Sequence, residues 1–268
     1  MTAKLPADTH MHTVLCHHAE GRPLDYARAA FAKGVAGVCV TDHIPAPGGY
    51  DASSRMEADE FPAYLESVAE AQRAFPGRVA LGIEADYYPG CESYLPAFLE
   101  KARFDFVLGS VHFIGDWGFD NPATLDRWEK ADLNAVWDDY LALVGRMVET
   151  KWFDALSHFD LPKKFGHRLP EPLLLEKVKP VLDRIAEAGL AMELNTGGLR
   201  KPVKEIYPSL PLLKLMKERG IPILFGSDAH APAEAGYGFE QAAALAREAG
   251  YTTYARFQNR KASSAPIP

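Results

Sequence analysis

Short apolar runs alternate with segments of helical spacing along almost the whole chain, and this alternation restricts the fold more than any other feature. Continuous apolar runs are typical of strands that are covered on both faces, as in a parallel sheet. Seven strand–helix units and one last strand are predicted. The predicted strands are residues 8–12, 37–41, 79–83, 106–111, 153–157, 190–194, 221–225 and 252–257, and the predicted helices are residues 24–33, 59–75, 94–103, 133–150, 172–188, 210–219 and 239–249.

The residues that end the strands of these units favour a closed barrel over an open sheet. A histidine or a carboxylate ends six of the seven strands, and Asn195 ends the other. Functional groups gather at one switch point in an open sheet, whereas every strand end faces a common mouth in a barrel. We therefore predict an α/β fold, a distorted seven-stranded (β/α)7 barrel related to the TIM barrel. Because no linker divides the chain, residues 1–268 are predicted to form a single domain, with a frayed tail from about residue 261.

The composition narrows the classes of function. A formal charge of −7 disfavours a non-specific nucleic-acid binder, which needs a basic face. Three cysteines without a C-x-x-C pair argue against a disulfide framework and fit a reducing, cytoplasmic location. No signal-peptide pattern and no apolar run of membrane-spanning length is seen, so no membrane association is expected. The aromatic and acidic interruption at residues 113–132 is predicted to be an ordered lid or pocket wall.

The strand-end residues are candidate ligands for metal ions. Alternate residues of a strand share a face, so His10 and His12 point the same way and are able to coordinate one ion. A surface strand that carries two histidines is the alternative for this motif alone, but seven of the nine histidines lie at such positions. Cys16 is a further possible ligand, although a small packing residue is favoured. Imidazole and carboxylate donors suit Zn²⁺, Fe²⁺ or Mn²⁺. The candidate ligands are His10, His12, His18, His43, Glu84, His112, His158, Asp228 and His230.

The same residues carry a resemblance to a known family. Asp8-x-His10-x-His12, Thr41-Asp42-His43, Gly82-Ile83-Glu84, Ser110-Val111-His112, Ser157-His158 and Ser227-Asp228-x-His230 resemble the ordered motifs of the PHP family, named for polymerase and histidinol phosphatase domains. The resemblance implies three divalent metal ions (Zn, Fe or Mn) at the carboxyl mouth of a distorted seven-stranded barrel. It assigns His10, His12, Glu84 and Asp228 to the first ion, Glu84, His112 and His158 to the second, and His18, His43 and His230 to the third. Glu84 would bridge two ions, and His17 is the rival of His18.

Further motifs resemble the histidinol-phosphatase branch of that family. They are Ser110-Val111-His112-Phe113-Ile114, Ser157-His158-Phe159-Asp160-Leu161 and Glu193-Leu194-Asn195-Thr196-Gly197-Gly198-Leu199-Arg200. This resemblance implies hydrolysis of L-histidinol phosphate to L-histidinol and phosphate in histidine biosynthesis. A water held between two ions would attack phosphorus in line. Glu84, Asp228 and His230 are the predicted catalytic residues.

Cations beyond the metals are expected to bind the phosphate group. Arg200, Lys163 and Lys164 are predicted for this role, because they follow strand ends and carry suitable donors. Arg55 and Arg127 are weaker candidates. Acids and aromatics of residues 116–128 are available to receive the ammonium and imidazole groups of histidinol. Asp42, Asp160 and a metal-bound water all remain open as the general acid.

Two other functions remain open from the sequence. A phosphoesterase that acts on nucleotides or oligonucleotides is disfavoured by the acidic balance and by the lack of a basic or base-stacking domain. A non-enzymatic metal-binding protein is disfavoured because each predicted ion has few enough protein ligands to leave open positions. The predicted partner is therefore a small phosphomonoester, without nucleic acid or membrane, and the oligomeric state is left open.

Overall fold

A computed structural model describes residues 4–268 and places six parallel strands in one curled sheet with the order β1-β2-β3-β6-β7-β8. The strands are β1 (Val38–Val40), β2 (Val79–Asp86), β3 (Phe106–Ser110), β4 (Phe113–Ile114), β5 (Trp117–Gly118), β6 (Ala155–Leu156), β7 (Ala191–Asn195), β8 (Ile223–Gly226), β9 (Thr253–Gln258) and β10 (Lys261–Pro266). The helices are α1 (Pro23–Ala32), α2 (Phe61–Ala74), α3 (Leu95–Leu99), α4 (Leu125–Trp128), α5 (Leu133–Thr150), α6 (Glu171–Ala188), α7 (Leu210–Glu218) and α8 (Phe239–Glu248).

Short 3₁₀ turns occupy several of the connections. They are Val14–Cys16, Pro47–Gly49, Ala52–Ser54, Cys91–Ser93, Pro122–Thr124, Leu161–Lys163, Gly197–Arg200 and Pro232–Glu234. The α/β alternation and the parallel sheet are confirmed, and all seven predicted helices are present. In the part of the chain that the structure describes, no helix is both long and apolar enough to cross a membrane.

The predicted first strand, residues 8–12, is not a continuous strand. Its backbone runs between β1 and β8, since the Asp8 N–H donates to the Gly37 carbonyl (2.9 Å) and the Thr9 N–H donates to the Phe225 carbonyl (2.9 Å). The ladder is interrupted where the Met11 N–H donates to a side chain, Thr41 Oγ1 (3.1 Å). Only isolated bridges therefore form here, and the sheet has six strands where the sequence predicts seven.

The chain end also differs from the prediction of a frayed tail. Residues 261–266 form β10, which pairs with β9 along its whole length in an antiparallel hairpin. Asn259 and Arg260 make the two-residue turn, and both have positive φ (49° and 63°). Such turns are usually signalled by Asn-Gly or Asp-Gly, and Arg260 gives no such signal. Arg260 Nε lies 2.6 Å from Oδ2 of Asp154, which directly precedes β6, and this ion pair anchors the hairpin.

Helix α5 is amphipathic and shows how the outer helices are held against the core. Helix α5 begins after Asp132, whose side chain accepts a hydrogen bond from the Asn134 N–H (2.9 Å) and so caps a free donor. Most of its buried residues recur at helical spacing: Val136, Trp137, Tyr140, Leu141, Val144, Met147 and Val148. Leu143 and Gly145 are also buried. This face packs into the main core and leaves the opposite face to solvent.

Apolar side chains fill the interior of the curled sheet. Seven buried residues form a small apolar cluster that is separate from the main core: Cys39, Phe106, Leu108, Ala155, Ala191, Leu224 and Ala255. Phe257 of the terminal hairpin packs on Phe106 with 5.0 Å between ring centroids. Because apolar contacts take up this layer, buried polar groups collect at the carboxyl ends of the strands.

Residues 113–132 form an ordered wall, as predicted. They contain the β4–β5 hairpin, a 3₁₀ turn and α4. Trp117 and Trp128 are buried and pack edge to face with 4.8 Å between centroids, and Trp128 stacks on His167 at 4.6 Å. Aromatic packing therefore fixes this segment beside the mouth of the sheet.

Candidate metal centre

The carboxyl ends of the parallel strands bring the predicted ligands together. Glu84 lies within β2, and the other ligands lie on residues 8–12 or in the loops that follow strands. They surround a cavity of about 450 Å³. The cavity is lined by His12, His18, His43, Glu84, His112, His158, Asp228 and His230, while His10 lies behind Glu84.

His10, His12, Glu84 and Asp228 form the first group. His10 Nε2 lies 3.0 Å from His12 Nε2 and 3.1 Å from Glu84 Oε2. His12 Nε2 lies 3.3 Å from Glu84 Oε2 and 3.5 Å from Asp228 Oδ1. Around an ion with ligand bonds of about 2.0–2.1 Å, tetrahedral donors are separated by roughly 3.3 Å. The spacing of these four donors fits one shared cation.

The other oxygen of Glu84 faces a second group. Glu84 Oε1 lies 3.5 Å from His158 Nε2 and 3.7 Å from His112 Nε2. The two imidazole nitrogens are 3.2 Å apart. Glu84 therefore presents one oxygen to each group, which is the arrangement that a bridging carboxylate requires.

His18 and His230 form a third pair, with 2.9 Å between their Nε2 atoms. His43 stacks on His12 (4.4 Å between centroids) and lies 5.6 Å from the His18 ring, but its Nδ1 faces Glu84 Oε2 at 3.1 Å. His43 therefore lies between the groups rather than with the third pair alone. His17 points outward and pairs with Glu60 Oε2 (3.0 Å), so the structure brings His18 and not His17 into the centre.

The hydrogen bonds on the outer edges of the rings set the tautomers. In four of the histidines, Nδ1 faces an acceptor on the side away from the cavity. These acceptors are Glu193 for His10 (2.7 Å), Asp86 for His112 (2.9 Å), the Cys16 carbonyl for His18 (2.6 Å) and the Asp228 carbonyl for His230 (2.9 Å). A neutral ring that donates from Nδ1 carries its lone pair on Nε2. Inward-facing Nε2 atoms with lone pairs are metal donors, and the residues present therefore fit a bound cation.

Two acids that hold proposed ligands were given no role from the sequence: Glu193, which was named only within a branch motif, and Asp86. Glu193 is buried in β7 and also accepts hydrogen bonds from the His158 N–H (2.9 Å) and the Asn195 side-chain amide (3.0 Å). An acid inside the apolar run of residues 190–194 was the available signal. Asp86 follows Glu84 by two residues on the same strand, so strand alternation was the signal there.

Asp86 belongs to a buried charge network. Its Oδ2 accepts from Arg55 (2.9 Å) and from the Tyr50 hydroxyl (3.1 Å), while Oδ1 faces His112. Burial disfavours the charged form of His112, but Asp86 outweighs this and raises the pKa of His112 to about 10. Arg55 also pairs with Asp51 and is therefore committed to this network.

The electrostatics differ among the donors. The pKa values of His10 and His112 are raised, so these two rings must release a proton to bind a metal, whereas four other donors are poised for cations. Burial opposes ionisation of Glu84, but His43 and His10 outweigh it and hold its pKa well below the ordinary value. Burial similarly opposes ionisation of Asp228, and His10 reverses this, so its pKa is also lowered. Burial lowers the pKa of His230 to about 3, and it lowers the pKa of His43 well below the ordinary value. These shifts favour the charged carboxylate at Glu84 and Asp228 and the neutral ring at His230.

The three predicted phosphate-binding cations occupy different environments. Lys164 lines the cavity and its Nζ lies 2.9 Å from Asp120 Oδ2. Lys163 is turned away from the cavity and is buried in an ion pair with Asp160 (2.8 Å). A further cation, Lys201, lines the cavity and was missed, although it directly follows Arg200 in the sequence.

Arg200 braces the loop after β8 instead of lining the cavity. One of its terminal nitrogens donates to the Ser227 and Asp228 carbonyls (2.8 Å each). Its Nε lies 3.1 Å from Glu234 Oε1. The guanidinium therefore fixes the backbone that carries Asp228. Arg127, a weaker candidate, pairs with Asp116 on the surface.

Neither proposed general acid lines the cavity. Asp42 is buried and accepts from both the backbone N–H and the hydroxyl of Thr13 (2.5 Å each). Asp160 pairs with Lys163 and accepts from the Ser209 N–H (3.0 Å). Apart from the ligands, the acids that line the cavity are Asp51 and Asp120.

A comparison with known proteins identifies the family. The PHP domain matches residues 8–197, more than half of the chain. The chain therefore belongs to the PHP family. A probable histidinol-phosphatase of Deinococcus radiodurans is 45% identical over 256 residues, which are 95% of this chain and 97% of that protein. A histidinol-phosphatase of Bacillus subtilis is 27% identical over 87% of this chain and 96% of its own length.

Solved structures show the same fold. The crystal structure of histidinol phosphate phosphatase from Lactococcus lactis, complexed with zinc, L-histidinol and phosphate, superposes with a TM-score of 0.82. It covers 96% of this PHP chain and 98% of that chain at 23% identity. The sequence relatives place the chain in the histidinol-phosphatase branch of the PHP family.

Proposed function

We propose that the protein is a histidinol-phosphatase that hydrolyses L-histidinol phosphate to L-histidinol and inorganic phosphate in histidine biosynthesis. The 45% identity to the Deinococcus radiodurans relative, which extends over 95% of the chain, carries this proposal. The cavity of about 450 Å³ beside the ligand groups is of a size that suits a small molecule.

We propose that the ligand groups hold three divalent ions, which are Zn, Fe or Mn. His10, His12, Glu84 and Asp228 would hold the first, Glu84, His112 and His158 the second, and His18, His43 and His230 the third. When bound, such ions act as Lewis acids at phosphate oxygens and lower the pKa of water. Three divalent ions carry more charge than Glu84 and Asp228 neutralise, and the excess favours a phosphate dianion. The contact of His43 Nδ1 with Glu84 makes the third set the least complete.

The chain's own residues would orient the substrate around this centre. Lys164 and Lys201 line the cavity and would bind phosphate oxygens, and Asp120 holds the Lys164 ammonium in place. Asp51 and Phe113 line the same cavity and suit the ammonium and the imidazole of histidinol. Glu84, Asp228 and His230 would be the catalytic residues because they hold the ions that contact the phosphate.

We further propose that residues 8–12 serve as the seventh element of a distorted (β/α)7 barrel within a single domain. Their hydrogen bonds to both edges of the six-stranded sheet support this. A cytoplasmic location is also proposed, and three free, buried cysteines support it. A small phosphomonoester is the proposed partner, without nucleic acid or membrane.

Steady-state turnover on one preparation of known metal content tests the function. L-Histidinol phosphate is compared with nucleoside monophosphates, p-nitrophenyl phosphate and a short oligonucleotide at equal enzyme concentration. The highest kcat/KM is expected for L-histidinol phosphate. If the metal-loaded protein instead prefers nucleotides or the oligonucleotide, the protein has another PHP activity. Metal-loaded protein that turns over no phosphoester would favour a non-enzymatic metal-binding role.

A further inference from the structure

Cys16 touches three of the proposed ligands from the side away from the cavity. Its Sγ lies 3.5 Å from His12 Nδ1 and accepts the His43 backbone N–H at 3.1 Å. Its carbonyl accepts from His18 Nδ1 at 2.6 Å. We propose that the buried Cys16 thiol is a positioning residue, which orients His12 and His43 for metal binding without binding the metal itself. The inference depends on the metal centre proposed above but not on the substrate.

The hydrogen-bonding capacity of a thiol matches these contacts. A protonated thiol has one weak S–H donor and sulfur lone pairs that accept. The sulfur faces the Nδ1 atom of the His12 ring and accepts the His43 backbone N–H. The Asp42 carboxylate, held by two hydrogen bonds from Thr13, has an oxygen within 4.8 Å of the sulfur and would accept from S–H.

The contact with Cys16 Sγ fixes the tautomer of His12. When Nδ1 donates to sulfur, the lone pair is on Nε2, which faces Glu84 and Asp228 at 3.3 and 3.5 Å. His10 and His112 make the corresponding outer contacts with carboxylates, Glu193 and Asp86. His12 makes its outer contact with a thiol that is in turn backed by Asp42. Outer contacts of this kind set the orientation and basicity of a metal-binding histidine.

Two other roles for Cys16 give different predictions. The Cys16 sulfur, a His12 nitrogen and an Asp42 oxygen lie within 4.8 Å of one another, so direct metal binding by the thiolate is one rival. Against it, the sulfur lies on the Nδ1 edge of His12, whereas the other ligands meet the Nε2 edge. Simple packing is the second rival. Cys39 is an apt comparison, because it is also buried but packs among apolar side chains, and the hydrogen bond of its sulfur is to the Val40 carbonyl at 3.9 Å.

Metal titration of three variants tests the proposal. Cys16→Ala, Cys16→Ser and Cys39→Ala proteins are stripped of metal, and zinc binding is measured by calorimetry, with circular dichroism as a check of folding. Cys16→Ala is expected to weaken at least one zinc site 10- to 100-fold, the usual effect of removing an outer contact of a ligand. Cys16→Ser is expected to regain most of the affinity, since a hydroxyl also accepts and donates. Cys39→Ala should bind zinc as the wild type does.

Cobalt substitution separates positioning from direct binding. The Co²⁺-loaded wild type is expected to lack a thiolate-to-cobalt charge-transfer band. A band that disappears in Cys16→Ala would make Cys16 a ligand and overturn the proposal. Equal zinc affinity of Cys16→Ala and Cys39→Ala would show that Cys16 has only a packing role, and would also overturn the proposal. A wild type that binds zinc but hydrolyses no phosphoester would overturn the proposed function and leave the role of Cys16 intact, whereas a wild type that binds no divalent ion would overturn both.

Discussion

Glu84 is the residue on which the proposed centre most depends, because its two oxygens face two different groups of imidazoles. In Glu84→Gln, one oxygen becomes a non-coordinating NH₂ and the negative charge is lost. We expect this variant to lose about one equivalent of metal and several orders of magnitude in turnover, because activation of water by metal is what makes hydrolysis feasible at neutral pH. Plasma mass spectrometry and steady-state kinetics measure both losses.

Glu57→Gln is the matched control for that substitution, since Glu57 is exposed and its side chain makes no contact with the centre. It should retain full metal content and rate. Near-normal metal content and activity in Glu84→Gln would contradict the bridging assignment and the mechanism that depends on it.

Lys163 and Lys164 are neighbours in sequence with different expected roles. Lys164 lines the cavity, so Lys164→Ala is expected to lower kcat/KM. The expected loss of transition-state stabilisation is about 1.5–3 kcal/mol, the usual value for a hydrogen bond to a charged group. Lys163 is buried against Asp160, and removing one partner of such a pair destabilises by about 3–5 kcal/mol. Lys163→Ala should therefore lower the melting temperature more than it changes KM. Kinetics and thermal melts of both variants check this, and the reverse pattern would exchange the two roles.

Arg200 shows how the structure changes a prediction made from the sequence. As a phosphate ligand, it would affect KM when replaced. In the structure it holds the Ser227 and Asp228 carbonyls, so Arg200→Ala is expected to loosen Asp228 and to lower metal content as well as turnover. Arg168→Ala, which removes a half-exposed surface arginine, is the control. If Arg200→Ala keeps its full metal content and only its KM rises, Arg200 binds the phosphate directly.

At the scale of elements, the sequence predicted the strands and helices best where the pattern of apolar residues is regular. The six strands of the sheet and seven helices follow from apolar runs and helical spacing, and strand ends located the ligands. No role was predicted for the acids Glu193 and Asp86, because the ligands at the strand ends alone explained the pattern of polar residues. The lack of a continuous ladder at residues 8–12 depends on a side-chain contact, Thr41 with Met11, that no local pattern encodes.

The terminal hairpin gives a test at this scale. The small, polar and proline-rich residues 261–268 predict a frayed tail, whereas the structure pairs β9 with all of β10. Truncation after Gln258 removes several backbone hydrogen bonds and the Arg260–Asp154 contact. At about 0.5–1.5 kcal/mol net for each hydrogen bond, the free energy of unfolding should fall by roughly 2 kcal/mol or more. Denaturant titration measures this, with truncation after Pro266 as the control, and an unchanged free energy would support a frayed tail.

For the whole molecule, the central question is whether the fold depends on its metals. The core extends through the sheet and the surrounding helices and includes large buried side chains such as Trp137, Phe225 and Phe239. Several ligands are also held from behind by protein groups, as His10 is by Glu193 and His112 by Asp86. These contacts place the donors before a cation arrives. The protein therefore differs in kind from a zinc finger, whose small core does not form without metal.

We accordingly expect the metal-free protein to remain folded but inactive. Treatment with a chelator should abolish turnover of L-histidinol phosphate while the far-UV circular dichroism spectrum keeps its shape. Adding Zn²⁺ or Mn²⁺ back should restore activity without a refolding step, because the apolar core and the outer contacts of the histidines persist. The melting temperature should fall on chelation, since ions that bind only the native state stabilise it by mass action. Loss of the helical spectrum on chelation would instead show that the three sites are needed to hold the sheet together.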